Sequence, residues 1–138
     1  MNVVGARTQM TGRFAPDAAG WAKLFAAIDA RDAAAFAAFL APDASFRFGN
    51  AAPVEGREAI EAAVAGFFAL LAGCSHRLTQ TWTGADSAVC EGEVSYLTPR
   101  GARVTVPFVN VFGLSDGQIA TYRIYIDNAP LFAALGKD

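Results

Sequence analysis

Cysteine, histidine and clustered positive charge are scarce in this sequence, and each scarcity closes off a class of function. Two cysteines, Cys74 and Cys90, cannot build a disulfide framework. They form no CxxC pair, and the one histidine, His76, completes no zinc set with them at a familiar spacing. Two reduced thiols are therefore expected, with no metal and no organic cofactor. Eleven basic against thirteen acidic side chains leave a net charge of −2 without any Lys/Arg run, which argues against a nucleic-acid partner. Charged residues make up only 17% of the chain, below the globular average of about 25%. Even so, no stretch of about 18 uninterrupted apolar residues occurs, so no membrane span is expected. Residues 1–16 lack a basic start followed by an apolar segment; with no secretory signal in view, a cytoplasmic location is the default expectation.

What the chain has in quantity is apolar surface. Of its 138 residues 54% are hydrophobic and eleven are phenylalanine, enough for one domain with a sizeable core. Residues 1–16 read as an N-terminal arm and residues 17–138 as the single domain. Asp17 is placed to cap a first helix carrying Trp21, Leu24, Phe25 and Ile28 on one face. Asp32 caps a second, short helix with Phe36, Phe39 and Leu40, which Ala41-Pro42 stops. A short strand at Ser45–Phe48 and a loop at 53–56 precede a third helix from Arg57 to about Ala72, with Ile60, Val64, Phe67, Phe68 and Leu71 at helical spacing. From Gly73 to Asp127 the period changes to two, and turn signals at 84–86, 100–101 and 115–117 divide the segment into four long strands. A final helical turn is expected between Asn128 and Leu135, with Asp127 as its cap. Helices first and an antiparallel meander after them make the class α+β.

The turns imply a register. A two-residue turn at Ala85-Asp86 sets Trp82 opposite Val89, Gln80 opposite Glu91 and His76 opposite Ser95. A two-residue turn at Arg100-Gly101 sets Glu91 opposite Asn110 and Glu93 opposite Phe108. A three-residue loop at 115–117 sets Asn110 opposite Tyr122 and Phe108 opposite Ile124. One face then collects Leu78, Trp82, Phe108, Phe112, Ile124 and Ile126, apolar enough to lie under the helices. Across it runs a polar row, Gln80, Glu91, Asn110 and Tyr122, with His76, Glu93 and Ser95 nearby.

A carboxylate on a covered face is costly unless paired, hydrated or neutralised, and a neutralised one is a usable acid or base near neutral pH. Three readings stay open for the row: side chains that bond one another or sit where the sheet extends past the helices into water, a wet ligand pocket, and proton transfer by Glu91 or Glu93. A slip of one residue in a turn moves Glu91 to the opposite face. That opposite face, with Val94, Tyr96, Val109, Val111 and Tyr125, is half apolar and suits a partner subunit, so a homodimer is expected.

Several segments resemble the nuclear transport factor 2-like superfamily, most closely its SnoaL-like polyketide cyclase branch. They are Phe25–Asp32, Pro42–Phe46, Val54–Ile60, Asp116–Ile119 and Tyr122–Asp127, and together they span about residues 17–132. The resemblance implies a cone-shaped curved antiparallel sheet wrapped around three N-terminal helices, a cavity inside and frequent dimerisation through the sheet. It implies less about chemistry. Asn110 stands where ketosteroid isomerases place an oxyanion-donating acid, but Phe48 stands at their base position. Ile124 interrupts the acidic set of limonene epoxide hydrolases, and the second histidine of scytalone dehydratases is missing.

The resemblance and the register together imply proton-transfer chemistry on a small apolar carbonyl-bearing molecule. Glu91, Glu93, Asn110 and His76 are then the candidate catalytic residues. Gln80, Tyr122, Trp21, Phe48, Trp82, Phe108 and Ile124 are the candidate ligand contacts. The alternative is a non-catalytic dimeric ligand-binding or accessory module, and a weaker third reading is a protein-interaction domain.

Overall fold

The computed structural model describes residues 12–137. In chain order its elements are α1 (Ala18–Asp29), α2 (Ala33–Ala37), β1 (Leu40–Phe48), β2 (Val54–Glu55), α3 (Arg57–Phe68), β3 (Gly73–Thr83), β4 (Ser87–Leu97), β5 (Arg103–Ser115), β6 (Gln118–Ile126) and α4 (Ala129–Lys137). The expected helix starts hold: Asp17 Oδ1 accepts from the Gly20 N–H at 2.8 Å, and Asp32 Oδ1 from the Ala35 N–H at 3.0 Å. α1 buries Trp21, Leu24, Phe25 and Ile28, the stripe its spacing predicts. Asp127 Oδ1 accepts from the Ala129 N–H at 2.9 Å, the capping role expected of it, and the helix it starts is longer than one turn.

The curved six-stranded sheet has the order β2-β1-β6-β5-β4-β3. β3 to β6 form the expected antiparallel meander, but β1 lies parallel to β6, which makes the sheet mixed. A parallel pair needs a long crossover, and α3 with the meander supplies it. β1 also begins earlier than expected, at Leu40, and takes in Pro42. The proline is tolerated because the β1–β6 ladder breaks between Leu40 and Ser45, where no strand N–H is required.

Of the expected N-terminal arm, residues 1–11 lie outside the described residues. The rest is anchored. Phe14 is buried edge-on against Trp21 at 5.1 Å and Phe112 at 5.6 Å, and its N–H donates to Gly117 O at 2.8 Å. An aromatic ring with a core slot to fill thus ties residues 12–16 to the domain.

Two turns differ from expectation, and one of them changes the site. Between β4 and β5 the loop has three residues, Pro99–Gly101, with Gly101 at φ 94, so Leu97 pairs with Arg103 and Cys90 with Asn110. That single-residue difference inverts the facing of β4. Ala88, Cys90, Gly92, Val94 and Tyr96 point under the helices, and Glu91 and Glu93 point out. Between β5 and β6 the turn is the two-residue Asp116-Gly117, both with positive φ, and a bulge beside Leu114 follows. Asn110 therefore pairs with Ile124 and Phe108 with Ile126, a shift of two that keeps the expected face. A third irregularity, a bulge between Leu78 and Gln80 in β3, sets His76 opposite Val94 while Gln80 stays opposite Glu91. An ideal Cβ on Gly92 would lie 2.1 Å from Arg77 O, so glycine is what lets β4 pass this bulge.

Candidate active site: an aromatic cavity with two polar groups

Under the helices the inner sheet face encloses a cavity of about 200 Å³. Phe25, Phe36, Phe46, Phe48, Phe67 and Phe108 supply most of its wall, with Ile28, Val64 and Ile124 between them. Ala51, Ala52 and Ala63 line it while remaining exposed, and so form its rim. An apolar cavity of about 150 Å³ accommodates benzene, so this one suits a compact ring-sized molecule.

The first polar group is at the junction of α1 and β3. His76 Nδ1 lies 2.5 Å from Asp29 Oδ1, and the His76 backbone N–H donates to Asp29 Oδ2 at 3.1 Å. β3 is an edge strand, and this second bond satisfies an N–H on its open side. The carboxylate accepts, so Nδ1 carries a proton, and Nε2 is the ring nitrogen that Asp29 leaves free. The imidazole is packed against Phe25 (4.7 Å) and Phe108 (5.3 Å), and its side chain is 12% exposed. Cys74, two residues earlier on the same strand face, approaches Asp29 Oδ1 at 3.8 Å. Burial, and then the Asp29 charge, push its thiol up to about 12, so it stays protonated and is no nucleophile at neutral pH.

The second group is Asn110 on β5 with Tyr122 on β6. Asn110 Nδ2 lies 3.5 Å from Tyr122 Oη, and Asn110 Oδ1 has no hydrogen-bond partner among the described residues. Asn110 is 2% exposed and Tyr122 1%, and both line the cavity. Burial holds the Tyr122 phenol well above its ordinary pKa, so it remains a donor at any physiological pH.

Of the residues singled out from sequence, His76, Asn110, Tyr122, Phe48, Phe108 and Ile124 meet at this cavity. The others do not. Glu91 and Glu93 are exposed on the outer face, where Glu93 Oε1 accepts from Arg77 Nη2 at 2.8 Å; the three-residue loop put them there. Gln80 and Trp82 share that outer face, being paired with Glu91 and Val89 on the turn side of the β3 bulge. Trp21 is buried but packs between Phe14 and Phe112, outside the cavity lining.

Asp29 was missed. It stands in the last turn of α1, where the helix dipole disfavours an anion, and that misplacement is the signal by which it could have been found. Cys74 and His76, two apart on one strand, were the matching clue. Among the described residues Asp29, Cys74 and His76 are the group able to converge on a metal ion, their ligand atoms lying within 4.8 Å of one another. A metal there would have to displace the Asp29–His76 hydrogen bond and deprotonate the thiol.

The sequence profile of the SnoaL-like domain matches residues 21–122. Among solved structures, TerC co-crystallised with polyporic acid superposes with a TM-score of 0.75 at 18% identity, over 88% of this chain and 99% of its own. A protein with a ketosteroid isomerase-like fold from Catenulispora acidiphila DSM 44928, in complex with trimethylamine, gives a TM-score of 0.75 at 18% identity, over 84% and 91%. A SnoaL-like polyketide cyclase candidate from Jannaschia sp. CCS1 gives 0.73 at 20% identity, over 96% and 94%. Likeness at this level of identity establishes the fold. No curated protein matches the chain by sequence.

Proposed function

Because the chain belongs to the SnoaL-like domain family, within the NTF2-like superfamily, we propose that it carries out proton transfer of the cyclase or isomerase type on a small, mainly apolar carbonyl compound. The observation that carries this reading is the His76–Asp29 pair set into the wall of an otherwise aromatic cavity. His76 Nε2 takes a proton from the carbon next to the carbonyl. The C–H electrons form a carbon–carbon double bond, and the carbonyl π electrons move to oxygen. Asp29 stabilises the imidazolium that results, and Tyr122 with Asn110 receives the oxygen where charge develops. With a β,γ-unsaturated ketone the imidazolium returns the proton to the γ-carbon of the dienolate, which completes an isomerisation; with a dicarbonyl compound the enolate carbon attacks the second carbonyl and the imidazolium protonates the resulting alkoxide, which completes a ring closure. The co-crystallisation of TerC with polyporic acid supports an organic ligand for this fold. On the outer face Trp82 and Tyr125 are 50% and 57% exposed, and we propose that a second copy of the chain covers them.

The test is solvent deuterium exchange into simple cyclic ketones, followed by proton NMR. The protein accelerates exchange, and His76→Gln lowers the rate by at least about 10²-fold, the usual general-base effect. Equal rates for variant and wild type overturn the assignment. The non-catalytic binding module is the second reading, favoured by the outward position of both Glu91 and Glu93; no exchange with any ketone, despite ketone binding, supports it.

A further inference from the structure

Asp29 meets a thiol as well as an imidazole. Asp29 Oδ1, Cys74 Sγ and His76 Nδ1 form a triangle with sides of 3.8 Å from sulfur to oxygen, 3.9 Å from sulfur to nitrogen and 2.5 Å from nitrogen to oxygen. A tetrahedral zinc ion, with bonds of about 2.3 Å to sulfur and about 2.0–2.1 Å to nitrogen and oxygen, separates such atoms by about 3.3–3.6 Å. Both sulfur edges are close to that spacing. The nitrogen–oxygen edge is shorter by about 0.8 Å because a proton, not a metal, closes it. The Asp29 side chain, 29% exposed, has room to open that edge, while the ring is held against Phe25 and Phe108. Asp29 Oδ2 accepts from the His76 backbone N–H at 3.1 Å, which aims Oδ1 at the other two donors as outer partners do for metal ligands. A carboxylate in the last turn of a helix faces the negative end of the helix dipole, and a bound cation offsets that. Familiar sequence spacings miss the trio because its third donor lies on α1, 45 positions before Cys74.

We infer that Asp29, Cys74 and His76 form a three-ligand site for a sulfur-seeking divalent metal ion, zinc above all. A carboxylate, a thiolate and a neutral imidazole bring two negative charges to a divalent ion, and three protein ligands leave a fourth position for water. Magnesium and calcium take oxygen ligands and gain nothing from the sulfur. Cys74 and His76 both line the cavity, which gives the ion a way in. The ion replaces the proton between Nδ1 and Oδ1, and the neutral ring then holds its one proton on Nε2; the coordinated thiol releases its proton to solvent. Nε2 is then a donor and no longer a base. A zinc-loaded chain therefore cannot perform the proton abstraction proposed for His76, so the metal acts as an inhibitor of that reaction. The site itself does not depend on that reaction.

Cobalt(II) is the probe, because its spectrum reports its ligands. Titrated into the reduced, untagged protein, it is expected to give a thiolate-to-cobalt charge-transfer band in the near ultraviolet and the intense visible bands of tetrahedral cobalt. Zinc is expected to remove these bands and magnesium to leave them. Cys74→Ser is expected to abolish the charge-transfer band and to weaken zinc binding, measured by competition with cobalt, at least about tenfold. Cys90→Ala, outside the trio, is expected to keep the band. Asp29→Asn, which keeps an acceptor for the His76 backbone N–H, is expected to weaken zinc binding at least about tenfold and carries the test if thermal melts show the serine variant unfolded. No band in wild type, a band that survives Cys74→Ser, or unchanged affinity in Asp29→Asn overturns the inference. Saturating zinc is expected to slow deuterium exchange at least about tenfold, and exchange undiminished with the metal bound takes His76 out of the ligand set and overturns the site. Metal binding without any exchange activity refutes only the proton-transfer reading. Exchange without metal binding refutes only this one.

Discussion

Cutting side chains at two adjacent positions of β4, Glu93 and Val94, measures which of them faces the interior. Val94 is 1% exposed and lines the cavity. Val94→Ala removes two buried methyl groups, about 1.6 kcal/mol at ~0.8 each, and the enlarged void adds up to about 1 kcal/mol. A loss of about 2–3 kcal/mol is expected. Glu93 contacts Arg77 at 2.8 Å, but the two side chains are 47% and 68% exposed. An exposed pair contributes about 0.2–1 kcal/mol, so Glu93→Ala loses no more than that. In urea, with a slope of about 2 kcal/mol/M, the midpoint falls by about 1–1.5 M for the valine variant and by less than about 0.5 M for the glutamate variant. The slopes should match wild type, since neither change alters the surface exposed on unfolding. If Glu93→Ala costs as much as Val94→Ala, the three-residue turn and the outward glutamates are wrong, and the original proton-transfer candidates return to the cavity.

Other outcomes follow from single features. Asp29→Asn keeps an acceptor for the His76 backbone N–H but removes the charge beside the ring, and deuterium exchange is expected to fall at least about tenfold; an unchanged rate makes Asp29 merely structural. Burial pushes the Cys90 thiol, like Cys74, up to about 12 from an ordinary 9.0. The unfolded chain gives up those protons first, so stability is full below pH 9 and declines as pH rises toward 12, by up to about 1.4 kcal/mol per pH unit for each thiol. Denaturant melts between pH 8 and 11 check this, and a flat profile contradicts it. Sedimentation is expected to show a dimer for wild type and a monomer for Trp82→Lys/Tyr125→Lys; a wild-type monomer removes the outer-face interface.

α1 and α2 were legible because each starts at an aspartate followed by apolar residues three and four apart, as with Asp17, Trp21, Leu24 and Phe25, whereas α3, which starts after Gly56, was legible from its apolar spacing alone. The four long strands were legible from their alternation and turn residues. What the residues could not fix was turn length. Pro99-Arg100-Gly101 reads equally well as a two- or three-residue loop, and that ambiguity decided the face of Glu91 and Glu93. Asn110 and Tyr122 survived because the error at the last hairpin was two residues, which preserves parity. His76 kept its place through the bulge at 78–80, which no local pattern announces. Asp29 was invisible as a site residue because its partner is 47 positions away, across a packing contact between helix and sheet edge.

The alanine rim has a consequence of its own. Ala51 and Ala52 lie in the connection after β1 and Ala63 on α3, whereas His76, Asn110 and Tyr122 stand on the far meander. The width of the opening and the polar groups of the cavity thus reside in separately mutable segments. Bulkier replacements at the doorway are expected to exclude larger molecules while leaving the Asp29–His76 pair as it stands.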